Sequence, residues 1–150
     1  MKERTTPISG AIYEIKLNDG GVSYARFLSG AVYAFYDYHS KEHLQPDEIR
    51  RLSVLFKICV MEKAVTSKRW KHIAIAPLEP ELQKLVSFFK QDAIEKQTYS
   101  IYVGGAERNA SREECIGLER LAVWDPEHVE SRLLDHYEGR MNKWVESLRP

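Results

Sequence analysis

The 150-residue chain carries no surplus of either charge: 22 Lys and Arg stand against 22 Asp and Glu. A general nucleic-acid binder needs a basic excess to neutralise phosphates, and a nucleic-acid mimic needs an acidic one, so the balance argues against both. Residues 1–106 are slightly basic and residues 107–150 slightly acidic, an asymmetry on the scale of ordinary surface variation. Cysteine is scarce. Cys59 and Cys115 each sit inside an apolar segment and read as buried, reduced thiols of a cytosolic protein. No apolar run approaches a membrane span, and the opening MKERTTPISG is charged and lacks the apolar stretch of a signal peptide, so the expected compartment is the cytoplasm. There is no low-complexity tract, internal repeat or Gly/Ser/Pro-rich linker. A composition of 43% hydrophobic and 29% charged residues is that of an ordinary folded chain, and residues 1–150 read as one domain.

Catalytic signatures are scarce as well. No G-x-S-x-G elbow and no Cys-x-x-Cys is present, and Cys115 follows Glu113-Glu114, whose charge raises a thiol pKa. Gly20-Gly21 and Gly104-Gly105 lack the lysine and helix start of a phosphate loop and read as turns. One segment, DYHSKEH, holds Asp37, His39, Glu42 and His43 at spacings that could gather two imidazoles and a carboxylate round a metal. Its Ser, Lys and Gln neighbours mark an exposed loop instead, and no metal or cofactor is expected. His128 and His136 fall nearly a quarter-turn apart on a helix and read as flanking residues.

What the chain does have is a clear strand pattern at its start. Tyr13, Ile15 and Leu17 alternate with Glu14 and Lys16, Asn18-Asp19-Gly20-Gly21 supplies a hairpin turn, and residues 22–28 and 31–38 return as second and third strands. Pro46-Asp47-Glu48 opens a short helix, and residues 53–60 and 70–76 read as strands. After Pro80, Leu82, Leu85, Val86 and Phe89 fall at helical spacing and predict a helix. Residues 98–103 alternate as a strand, and Ser111-Arg112-Glu113-Glu114 is a capping box. Residues 118–124 read as a strand or as an extended stretch crossing the core. Asp125-Pro126 then starts a long helix striped by Val129, Leu133, Tyr137, Met141, Trp144 and Leu148, with Gly139 inside it as a mark of close packing. The fold class is α+β: a mostly antiparallel sheet of five to seven strands that begins with a meander and is packed by two main helices.

The third strand is crowded with rings: Tyr33, Phe35, Tyr36 and Tyr38 cover both of its faces. One face belongs to the core. The other is either core with tyrosine tips reaching solvent or an interface, because tyrosine offers contact area with a polar tip and little entropy to lose.

The G-x-I-Y-x-I-x-L-x-D-G opening with Tyr24-Ala25-Arg26 resembles the start of immunity protein family 26 of bacterial polymorphic toxin systems. VLFKICV, the Trp70 strand leading to Pro77-Leu78, FFKQD and ECIGLERLAVWDPEHVESRL are similar to its later blocks, over residues 8–148. The resemblance implies a small cytoplasmic, non-enzymatic protein that binds and blocks a cognate toxin domain. Inhibition would then use a face including Tyr36, Asp37, Tyr38, His39 and His43. Some relatives are labelled organophosphate hydrolases, which supplies a second reading: a small metal-dependent hydrolase using Asp37, His39 and His43. A ligand-binding regulatory module is a third.

Overall fold

The computed structural model describes residues 6–150, so the charged residues 1–5 lie outside the description. The meander forms as the alternation requires. Strand β1 (Ala11–Lys16) pairs antiparallel with β2 (Val22–Ser29), and β2 with β3 (Val32–Tyr36). The first turn closes through Leu17 N–H to the Gly21 carbonyl (2.8 Å), with Gly20 at φ +86°, a conformation glycine adopts without steric cost. Helix α1 (Pro46–Ile49), strand β4 (Val54–Val60), helix α2 (Lys63–Thr66) and strand β5 (Lys71–Ile75) follow. The resulting sheet has the order β10-β4-β3-β2-β1-β5, where β10 (Val123–Trp124) runs parallel to β4. The polar run 61–69 hides α2, which buries Ala64 and Val65.

This sheet is covered on both faces. On one, Tyr13, Ile15, Phe27, Tyr33, Phe35 and Ile58 pack with Trp70 against Val129 and Leu133 of helix α5 (Pro126–Tyr137). The Trp70 ring meets Tyr33 edge-on at 5.8 Å and Phe35 at 5.6 Å, contacts worth about 0.5–1.5 kcal/mol each beyond the area they bury. On the other, Ile12, Tyr24 and Tyr36 pack against Ile49 of α1. The outward face of β3 is therefore not open: Tyr36 is 1% exposed.

Beneath Tyr36 lies a buried guanidinium. Arg26, fully buried on β2, donates to the Gly10 carbonyl (2.7 Å), the Tyr36 hydroxyl (3.1 Å), Glu79 Oε2 (2.9 Å) and the carbonyls of Ala76 (2.8 Å) and Pro77 (3.1 Å). Glu79 is shared with Arg50 Nε at 2.7 Å, so three side chains tie α1 and the segment after β5 to the middle of the sheet. Burial opposes ionisation of Glu79, but the Arg50 hydrogen bond and the Arg26 charge hold its carboxyl below the usual value.

Two helix expectations are corrected. The run after Pro80 gives only α3 (Pro80–Gln83) and then strand β6 (Ser87–Gln91). Phe88 and Phe89 are adjacent and both buried, which one helix face cannot achieve and a strand covered on two sides can; Leu85, assigned to the stripe, is 72% exposed. The long C-terminal helix is also two. Gly139 (φ +69°) ends α5 with a Schellman pair, Arg140 N–H to the Asp135 carbonyl (2.8 Å) and Gly139 N–H to that of His136 (3.3 Å). A Cβ at Gly139 would meet no atom within 4 Å, so helix termination rather than close packing explains this glycine. Asn142 then caps α6 (Lys143–Ser147), accepting from the Trp144 and Val145 N–H groups, and Met141 is left 78% exposed.

Strand β6 belongs to a second sheet, order β8-β7-β6-β9, made with β7 (Tyr99–Val103), β8 (Ala106–Ala110) and β9 (Glu119–Arg120). The capping box appears as read, with both halves formed at Ser111 and Glu114, and opens α4 (Arg112–Cys115). Residues 119–124 are the extended crossing: β9 lies parallel to β6 in one sheet and β10 parallel to β4 in the other. Cys59 and Cys115 are buried, and burial raises both thiols, with the Glu114 charge a further cause at Cys115.

Candidate functional site

The polar segment 37–45 leaves β3 at the sheet end beside the β1–β2 turn, and six side chains fasten it there. His39 Nε2 lies 2.6 Å from Asp19 Oδ2. Asp19 also accepts from the Gly21 N–H (2.9 Å), and that bond, then His39, holds its carboxyl below the usual range. Gly21 leaves room for the ring, since a Cβ there would stand 2.8 Å from His39 Nε2. His43 Nδ1 is paired with Glu14 Oε1 of β1. The Tyr24 hydroxyl accepts from the Leu44 N–H (2.8 Å), and its ring lies 5.6 Å from that of Tyr38, whose hydroxyl donates to the Glu42 carbonyl (2.7 Å). A ladder bridge between Val22 and Ser40 completes the backbone attachment.

Helix α5 reaches the same place. Tyr137 stacks on His39, with centroids 4.9 Å apart and rings 17° from parallel, and donates its hydroxyl to Asp37 Oδ1 at 3.0 Å. Burial and the Asp37 carboxylate both raise the Tyr137 phenol. Exposed imidazole–carboxylate pairs contribute little individually to global stability. Their combined effect is to hold Asp37, His39 and His43 in one arrangement above the sheet end.

Of the residues singled out from the sequence, Asp37 and His43 are exposed, Tyr38 and His39 are half-buried, and Tyr36 lies underneath, bonded to Arg26. The metal-ligand geometry does not form. His39 turns to Asp19, His43 to Glu14 and Asp37 to Tyr137, and among the described residues no group of three or more His, Cys, Asp or Glu is placed to hold an ion. The partners that orient the loop, Glu14, Asp19, Tyr24 and Tyr137, were not singled out from the sequence. Asp19 could have been found as the Asx residue of the turn. Tyr137, a hundred residues from Asp37, has no local signal.

Comparison with known families places the chain among the immunity proteins. Residues 8–100 match the family model described as Immunity protein 26, and the chain belongs to that family. No curated protein and no solved structure matches it. Among the described residues no helix is long and apolar enough to cross a membrane.

Proposed function

We propose that this chain neutralises a cognate bacterial toxin domain by binding it in the cytoplasm, with the segment from Asp37 to His43 as part of the contact surface. Family membership supports the immunity role, and the observation that carries the surface is the pinning of this loop by Asp19, Glu14 and Tyr137. A preorganised, partly aromatic loop covers a partner without first being ordered. Asp37, Tyr38, His39 and His43 make the contact, and Tyr36 supports the strand end from below through Arg26.

The test is calorimetric titration of the chain with the toxin domain encoded beside its gene, in a catalytically inactive form, together with rescue of cells expressing the active toxin. Tyr38→Ala and His43→Ala should each weaken the complex by about 2 kcal/mol where the residue is a hot spot. Failure of the wild-type chain to bind or to rescue would overturn the immunity role. Binding unchanged with both side chains replaced would remove this loop from the surface.

A further inference from the structure

A pocket of about 390 Å³ opens on the face of the large sheet that carries Arg26, between β3, β4 and the segments around Arg50 and Glu79. The register sets Arg26, Ala34 and Lys57 in one row across β2, β3 and β4, so their side chains leave the same face of the sheet. Leu52, Val54 and Leu82 supply the apolar wall, and Tyr36, Arg50, Lys57, Glu79 and Glu81 supply the polar groups.

Charge around the pocket is uneven, in a chain with no net charge. Arg26 and Arg50 share the carboxylate of Glu79 (2.9 and 2.7 Å). Asp47 stands 3.7 Å from Arg50 on a side chain that is 83% exposed, and Glu81 is occupied by Lys84 at 3.0 Å. Lys57 is half-buried in the lining and forms no hydrogen bond or ion pair among the described residues. Tyr36 is buried, and its hydroxyl oxygen accepts from Arg26, but the hydroxyl proton has no acceptor among the described residues. Two donors, one of them on a buried side chain, thus line one cavity with nothing to donate to.

We infer that this pocket binds a small monocarboxylate. One carboxylate oxygen accepts from Lys57 Nζ and the other from the Tyr36 hydroxyl, while a compact apolar body lies against Leu52, Val54 and Leu82. Two donors match the two acceptor oxygens of that head group, and the ammonium makes its hydrogen bond a charge-assisted one. Arg26 and Arg50 keep their present partners and contribute only their charge, which with Lys57 exceeds that of Glu79. Glu79 and Glu81 in the wall repel a second negative charge, which disfavours a dicarboxylate or a phosphate monoester. The volume lies near the lower end of the range for small-molecule sites, about 300–1,000 Å³. The inference is independent of the toxin-binding role, and it sets the ligand against the residues that tie α1 to the sheet.

The experiment titrates the isotope-labelled full chain, without toxin, with benzoate, 3-methylbutanoate and hexanoate at constant ionic strength and follows its amide resonances. Benzyl alcohol serves as a probe with a similar body and no charge. The expected result is saturable shifts around Tyr36, Arg50 and Lys57, with a Kd of about 1 mM or tighter for at least one acid and about tenfold weaker binding of benzyl alcohol than of benzoate. Lys57→Met keeps the aliphatic stem and Tyr36→Phe removes only the hydroxyl; each should weaken the best acid about tenfold. Lys71→Met, on the edge strand β5, should leave it unchanged. Lys57 makes no bond within the fold, so Lys57→Met decides the matter even where Tyr36→Phe is less stable. No saturable shift at the pocket with any of the three acids would overturn the inference. So would benzyl alcohol binding as tightly as benzoate, or wild-type affinity in Lys57→Met or in a folded Tyr36→Phe. An equal loss in Lys71→Met would overturn it in favour of net charge.

Discussion

Replacing Arg26 by leucine tests the reasoning about the centre of the fold, because that guanidinium is fully buried and donates five hydrogen bonds. Without it, Glu79 keeps Arg50 at 2.7 Å and is 29% exposed on its side chain, so its charge is not stranded. The Gly10 carbonyl keeps the Ala76 N–H at 3.2 Å. The Ala76 and Pro77 carbonyls and the Tyr36 hydroxyl lose their Arg26 donor, at about 1–3 kcal/mol for each group left unsatisfied, while release of a buried charge returns part of the loss. The net expectation is destabilisation of about 4 kcal/mol. With a urea m-value of about 2 kcal/mol/M, the unfolding midpoint should fall by about 2 M. Arg26→Lys keeps the charge but not the fork and should fall between the two. Tyr36→Phe removes one acceptor and should cost about 1 kcal/mol, which gives a readable value even where Arg26→Leu does not fold. A midpoint for Arg26→Leu within about 0.5 M of wild type would refute the view that this node holds α1 and the Pro77 segment to the sheet.

Among the described residues the buried Ser23 hydroxyl has no hydrogen-bond partner, and Ser23 lies opposite Ile15 in the core, so Ser23→Ala should stabilise by about 1 kcal/mol and raise the melting temperature by about 2–4 °C; a lower melting temperature would contradict this. Acid should destabilise the fold. The carboxyls of Glu79, Asp19 and Asp125 lie below their ordinary values, the last chiefly through Lys63, so the stability they supply is complete above the unfolded carboxyl pKa and is lost as pH falls through the folded values. Urea midpoints should therefore decline from about pH 5 to pH 3, and a constant or rising midpoint over that window would contradict the ion pairs.

The local pattern was informative where neighbours in sequence are neighbours in space. Period-2 alternation and an Asn-Asp-Gly-Gly turn dictate the meander, and Ser111–Glu114 and Asp125-Pro126 dictate two helix starts through side chains that reach only two or three residues. The immunity family was legible for the same reason, since its first blocks are consecutive residues within 8–100. Spacing misled at Leu82–Phe89, where an apolar i, i+3, i+4, i+7 pattern also suits a strand buried on both faces, and tertiary packing of Phe88 and Phe89 decided for the strand. The exposed β8 run AERNA has no apolar period at all and becomes a strand only because β7 offers it an edge.

The sequence by itself determined the α+β class, the turns and caps, the ring-filled third strand and the family, all of which depend on local conformational preference and burial periodicity. Tertiary structure decided that Tyr36 is buried beneath the strand end and bonded to Arg26. It also decided that His39 pairs with Asp19 and His43 with Glu14, and that Tyr137 reaches Asp37 across a hundred residues. Hydrogen bonds and ion pairs of this kind depend on where a side chain points after the sheet and helix have packed, and a one-dimensional pattern does not encode that direction.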